Sequence, residues 1–279
     1  MDRLTGIGTL TRKQWFFAAA NWKMNQDLKA IAEFFSTFRI QSGANTIACI
    51  CPPFVYLHIV REYINKAVSS SGVSHARIEL GAQDVYPEDK GAYTGAISPA
   101  MLKDIGCKYV IIGHSERRRI FKEDVSLINR KVHKVLEYGL SPILCIGETA
   151  QERKEKATFR VLANQLRLGL HRVAIGEVPT VIIAYEPVWA IGTGINATKE
   201  QAQEAHEFIR TVLREMYSYS VAENMFILYG GSVSPENSKE LASCRDVDGF
   251  LVGSASLNGN SFSKIITEAE NAFAVSHRF

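Results

Sequence analysis

No stretch of the 279-residue chain approaches the roughly 20 consecutive apolar residues that a membrane-spanning helix needs. Residues 1–14 mix Asp2 with Arg3, Arg12 and Lys13 and hold no long apolar core, so they do not read as a secretory signal. Cysteine is sparse and odd in number. Cys49, Cys51, Cys107, Cys145 and Cys244 lack the spacing of a disulfide framework or a zinc site, which points to reduced thiols and a cytoplasmic protein. Neither sign of charge prevails: 32 basic residues against 29 acidic ones is too even to imply a nucleic-acid or membrane partner. A small acidic substrate stays open, since it needs only a local positive centre. The glycine-bearing segments around Gly192, Gly230 and Gly253 have neither G-x-G-x-x-G spacing nor a P-loop, which argues against NAD and ATP. No cofactor and no metal is expected. Repeats and linkers are missing too, because Ser69-Ser70-Ser71-Gly72 is too short to separate domains.

What the chain does have is 46% hydrophobic and 22% charged residues, the composition of an ordinary globular protein able to bury a core. Eight short apolar runs recur along it: Phe16 to Trp22, Thr46 to Cys51, Arg77 to Ala82, Tyr109 to Gly113, Pro142 to Ile146, Val181 to Tyr185, Phe226 to Tyr229 and Gly249 to Val252. Each precedes a longer stretch with helical periodicity, the alternation of βα units on a parallel sheet. Tyr109-Val110-Ile111-Ile112 and Val181-Ile182-Ile183-Ala184 are apolar at successive positions, as strands covered on both faces must be. Eight such units in one domain predict a closed α/β (β/α)8 barrel over 15–279, with 1–14 as an N-terminal extension. The residues before Gln14 and after Phe273 read as weakly docked tails.

Helix starts are marked by Ser98-Pro99 and Ser234-Pro235, and capping-box spacing by Thr149 with Glu152 and Thr198 with Gln201. Leu162, Leu166 and Leu170 give the helix after Thr149 an apolar stripe. Gly106 and Gly139 suit helix ends. Cys49 and Cys51 share a strand face and read as packing residues. Arg117-Arg118-Arg119 reads as a solvated or ion-paired helix face.

Reactive groups of such a barrel lie just after its strands. There the sequence carries Asn21-Trp22-Lys23-Met24-Asn25, Gly113-His114-Ser115-Glu116-Arg117-Arg118, Tyr185-Glu186-Pro187-Val188-Trp189-Ala190-Ile191-Gly192-Thr193-Gly194, Tyr229-Gly230-Gly231-Ser232-Val233 and Leu251-Val252-Gly253-Ser254-Ala255-Ser256-Leu257. In this order and placement, from about Phe17 to Leu257, they resemble the triosephosphate isomerase family. The resemblance implies isomerisation of a phosphorylated triose between ketose and aldose by proton transfer. That chemistry needs a base near two adjacent carbons, an electrophile for the enediolate oxygens, a phosphate grip and exclusion of water.

On the family's pattern Glu186 is the base, made more basic by an apolar lid closing over it. His114, at the mouth of a helix whose positive end disfavours a second charge, is expected to be a neutral electrophile. Lys23 supplies fixed positive charge and Asn21 lines the same wall. Glu116 and Ser115 support this cluster, and Cys145 packs behind the base. The lid is Pro187 to Ala197. Phosphate should meet the backbone amides of Gly192, Ser232, Gly253 and Ser254.

Departures from the pattern are Ser254 for a usual second Gly, Ile195 for a frequent Lys at the lid's far hinge, Ala20 for Gly, and Ala96 for a Glu that pairs across the family's dimer. The resemblance implies a homodimer in which Thr94, in the loop from Asp84 to Ser98, meets Asn21 of a second copy. Two alternatives stay open at this point: a related tetrulose phosphate as substrate, and a catalytically silent barrel kept as a scaffold. Side-by-side assays separate the first, and intact Asn21, Lys23, His114 and Glu186 weigh against the second.

Overall fold

The eight apolar runs are strands: β1 (Phe16–Asn21), β2 (Thr46–Cys51), β3 (Arg77–Ala82), β4 (Tyr109–Ile112), β5 (Ser141–Ile146), β6 (Ile182–Tyr185), β7 (Ile227–Tyr229) and β8 (Gly249–Val252). Each pairs in parallel with the next, and β8 pairs with β1, so the sheet closes into a barrel. The structure is a computed structural model describing residues 12, 14–40, 45–71, 77–190 and 197–277, the side chains of 69–71 excepted. Among these, helices α1 (Leu28–Thr37), α2 (Leu57–Ser71), α3 (Pro99–Asp104), α4 (Ser115–Arg119), α5 (Val125–Glu137), α6 (Ala150–Lys154), α7 (Thr158–Gly169), α8 (Lys199–Met216), α9 (Tyr219–Asn224), α10 (Ser238–Ala242) and α11 (Gly259–Ser276) surround it.

Successive strand residues serve two separate cores, which is why the runs are apolar without alternation. Phe17 and Ala19 point into the barrel with Cys49, Cys51, Tyr109 and Cys145. Phe16, Ala18 and Ala20 point outward and pack with helix residues such as Phe34 and Phe262. Edge-to-face ring contacts fix both layers, Phe17 on Tyr109 at 4.9 Å and Phe16 on Phe250 at 5.2 Å. Each wholly buried Phe contributes about 1.5–3 kcal/mol relative to exposure. Cys49 and Cys51 do share the inner face, their sulfurs 3.6 Å apart.

The capping boxes form as read: the Thr149 and Thr198 hydroxyls accept from the amides of Glu152 and Gln201, whose side chains accept in return. Ser98 caps α3 with Pro99 at its first position. Gly106 and Gly139 end helices in the left-handed region, at φ +88° and +70°.

Two expectations are corrected. α10 begins not at Pro235 but after Asn237, whose side chain accepts from the Ser234 amide (2.8 Å) and donates to Ser232 O (3.0 Å), holding 234–237 as a turn. The helix after Thr149 is two helices. Lys156 adopts φ +56°, and the bond from the Ala157 amide to Glu152 O closes α6 before α7 starts. The leucine stripe survives, with Leu162, Leu166 and Leu170 all buried.

Neither tail is loose at the residues described. Arg12 is 3% exposed; its guanidinium pairs with Glu223 (2.6 Å) and Asp248 (2.9 Å) and donates to Glu223 O (2.8 Å). Asp248 immediately precedes β8, so this clamp lies at the barrel end opposite the strand C-termini. His277 stacks on Phe273 and lies 2.8 Å from Arg245 O.

Candidate active site

At the C-terminal ends of the strands a cavity of about 670 Å³ opens, lined in part by Asn21, Lys23, His114, Ser115, Glu116, Glu186, Ser232, Gly253 and Ser254. These arrive from the ends of β1, β4, β6, β7 and β8. A closed parallel barrel directs such residues to one mouth whatever their separation in sequence.

β1 delivers Asn21 and, after one turn of chain, Lys23. Lys23 has φ +52°, a conformation that costs a non-glycine residue roughly 1–2 kcal/mol. Asn21 Oδ1 accepts from the Lys23 amide (3.1 Å), and Gln83 Nε2 donates to Lys23 O (2.8 Å), so the strained bend is held from both sides. Its Nζ then meets Glu116 Oε1 at 2.8 Å, passing against Gly253.

Two residues past the end of β4, His114 caps α4 with its own ring: Nδ1 accepts from the Glu116 amide at 3.2 Å. That bond leaves the ring proton on Nε2, which lies 2.8 Å from Glu186 Oε1. Burial works to lower the pKa of His114, but the charge and hydrogen bond of Glu186, with Glu116 behind, outweigh it and raise the pKa. The strongest neighbour of the imidazole is thus the Glu186 carboxylate rather than the start of α4. The Glu116 amide works the other way, because a second proton could reach Nδ1 only by displacing it.

β6 delivers Glu186, 2% exposed. Its amide donates to Ile146 O at 2.8 Å. Gly147 lets the two strand ends approach, since a Cβ there would run into the Glu186 carbonyl. The carboxylate accepts from the Ser115 amide (3.0 Å) as well as facing His114. Burial pushes its pKa up, yet His114, the Ser115 amide and Lys23 together outweigh burial and lower it. Desolvation thus does not make Glu186 more basic in this arrangement, because the carboxylate sits on donors. It gains basicity only by leaving them.

Cys145, at the end of β5, is wholly buried behind this carboxylate, and burial with the neighbouring Glu186 pushes its thiol well up. Gly192 and Ile195 lie outside the described residues. Thr94 is exposed and lines no part of the cavity.

Sequence reading missed three residues. Glu148, 0% exposed, receives the Trp189 indole (2.8 Å), the Tyr185 hydroxyl (3.2 Å) and Arg153 (3.1 Å), fastening the segment that follows β6 to the strand ends. Arg118 donates to Gly113 O (2.7 Å) and Cys145 O (2.8 Å), tying β4 to β5. Arg119 lines the cavity. Only position just after a strand could have flagged Glu148; nothing in the run of three arginines separates its members.

A family model described as triosephosphate isomerase matches residues 16–269. Among curated proteins bearing that name, one from Fusobacterium nucleatum is 48% identical over 250 residues, 89% of this chain and 96% of the relative. One from Shewanella frigidimarina is 44% identical over 256 residues, covering 91% and 97%. One from Endomicrobium trichonymphae is 44% identical over 250 residues, covering 89% and 96%.

Proposed function

The chain belongs to the triosephosphate isomerase family, and from that premise we propose how its side chains divide the proton transfer. The reaction is the cofactor-independent interconversion of dihydroxyacetone phosphate and glyceraldehyde 3-phosphate, a step of glycolysis and gluconeogenesis. The amides of Ser232, Gly253 and Ser254, with Gly192 from the lid, grip the phosphate. The carbonyl oxygen lies between Lys23 Nζ and His114 Nε2, along the wall that Asn21 shapes. Glu186 leaves Ser115 and His114 and takes a proton from C1. The electron pair forms the C1–C2 double bond, and negative charge gathers on O2, where Lys23 and the Nε2 proton stabilise it. His114 passes a proton between O1 and O2, and Glu186 returns its proton to C2 as the C1 carbonyl forms.

One observation carries this reading: a buried carboxylate and an imidazole 2.8 Å apart in a cavity that also holds a lysine. Glu186→Gln removes the base while keeping the shape, and kcat for glyceraldehyde 3-phosphate is expected to fall by about 10²–10⁴. Undiminished turnover overturns the assignment.

The working form we propose is a homodimer in the cytoplasm, with 15–279 as the catalytic domain and 1–14 as its extension. Five buried free thiols support the reducing compartment. Thr94 of one copy meets Asn21 of the other, and Ala96 leaves that interface one ion pair short. In its support, Met24 (94% exposed), Val55 (81%) and Tyr93 (43%) leave apolar surface uncovered on the single chain. Light scattering that finds a fully active monomer refutes the dimer.

A further inference from the structure

The run Arg117-Arg118-Arg119 holds three like charges with three different fates. Arg117 is neutralised by Asp84 (2.9 Å) and Glu123. Arg118 is spent on two backbone carbonyls at the ends of β4 and β5. Arg119, the last residue of α4, is exposed, lines the cavity, and has no ion pair among the described residues.

Its position matters because of the cavity's charge balance. The wall carries Lys23 and Arg119 against Glu116 and Glu186. Lys23 is paired with Glu116 at 2.8 Å, and Glu186 brings an unneutralised negative charge when the imidazole facing it is neutral. A triose phosphate is a dianion at neutral pH, so without Arg119 it would approach a wall of net negative charge. Arg119 restores the balance and places its charge at the rim, where water and salt reach it.

Resting on the isomerase reading above, we propose that Arg119 is an electrostatic capture residue: it draws the phosphorylated substrate into the cavity and takes no part in proton transfer. A unit charge roughly 10 Å from a dianion in water favours it by about four-fold, falling below about two-fold at 0.15 M salt. Arg119→Gln is therefore expected to lower kcat/KM for glyceraldehyde 3-phosphate by about four-fold at low ionic strength. The loss should sit in KM, with kcat unchanged, and the two proteins should converge as salt is added. Arg119→Lys should restore most of the loss, and Arg119→Glu should deepen it. Turnover of unphosphorylated glyceraldehyde should be the same in all four proteins.

A salt dependence of kcat/KM identical in the wild type and Arg119→Gln overturns the proposal, as does a fall in kcat or an equal loss on glyceraldehyde. Those last two results would mark a structural role. A wild-type protein without triose phosphate turnover would overturn the isomerase reading itself, a result distinguishable from all of these.

Discussion

Replacing Arg12 by alanine should destabilise the barrel far more than a residue before the first strand ordinarily would. Its guanidinium makes two charge-assisted bonds, to Glu223 and Asp248, and a third to Glu223 O. Asp248 is 0% exposed and would keep Arg210 (2.6 Å) and the Ile227 amide (2.7 Å); Glu223 would keep Arg214 (2.6 Å). Breaking a buried pair outright costs about 3–5 kcal/mol. Because both acids retain a partner, the lower end applies, about 3 kcal/mol. For a domain of this size that corresponds to a fall in Tm of roughly 6–12 °C. The assay is thermal unfolding at fixed protein concentration, with Arg130→Ala as control, since its pair with Glu88 is largely exposed and worth about 0–1 kcal/mol. A Tm for Arg12→Ala matching that of the control would mean that solvent replaces the clamp at no cost and that its buried pairs add nothing to stability.

Stability should also fall on acidification because of His206. It is wholly buried, its pKa lowered to about 4 by burial from an ordinary value of 6.5, and its Nε2 lacks a partner. Between those values the unfolded chain binds a proton that the folded chain refuses. The contribution is thus intact above pH 6.5 and lost as pH falls towards 4, by about 3 kcal/mol. His206→Asn can keep the bond that Nδ1 makes to Asp246 O (3.0 Å) and should flatten this slope; parallel stability profiles for the two proteins would contradict it. Gly147→Ala should force the end of β6 away and displace Glu186, lowering kcat by about 10²-fold. Wild-type kinetics in that variant would show the strand ends to be more compliant than their spacing implies.

The barrel was legible because strands covered on both faces write themselves as unbroken apolar runs, and every strand boundary read from sequence falls within one residue of the observed one. Helix starts with a hydroxyl at the right spacing were legible for the same local reason. What failed locally was set by contacts at a distance or by backbone that residue type does not announce. Asn237 displaces the start of α10 by bonding to the loop after β7, and Lys156 ends α6 in a conformation that nothing about lysine signals. Asn21, Lys23, His114 and Glu186 could be named from their motifs, and all four line one cavity. The expected neutral His114 and more basic Glu186 left out their strongest influence, a 2.8 Å contact between residues 72 positions apart in sequence, 114 and 186. Arg12 was read as tail for want of any local sign that two acids from the far end of the chain would enclose it.

Glu148 has a mechanical consequence. The indole of Trp189 and the hydroxyl of Tyr185, the residue just before Glu186, share one carboxylate that water cannot reach. Trp189 and Glu186 therefore stand on a common footing, three residues apart. Whatever disturbs the seating of one shifts the ground under the other, and this enzyme needs no long relay through the barrel to keep the two in step.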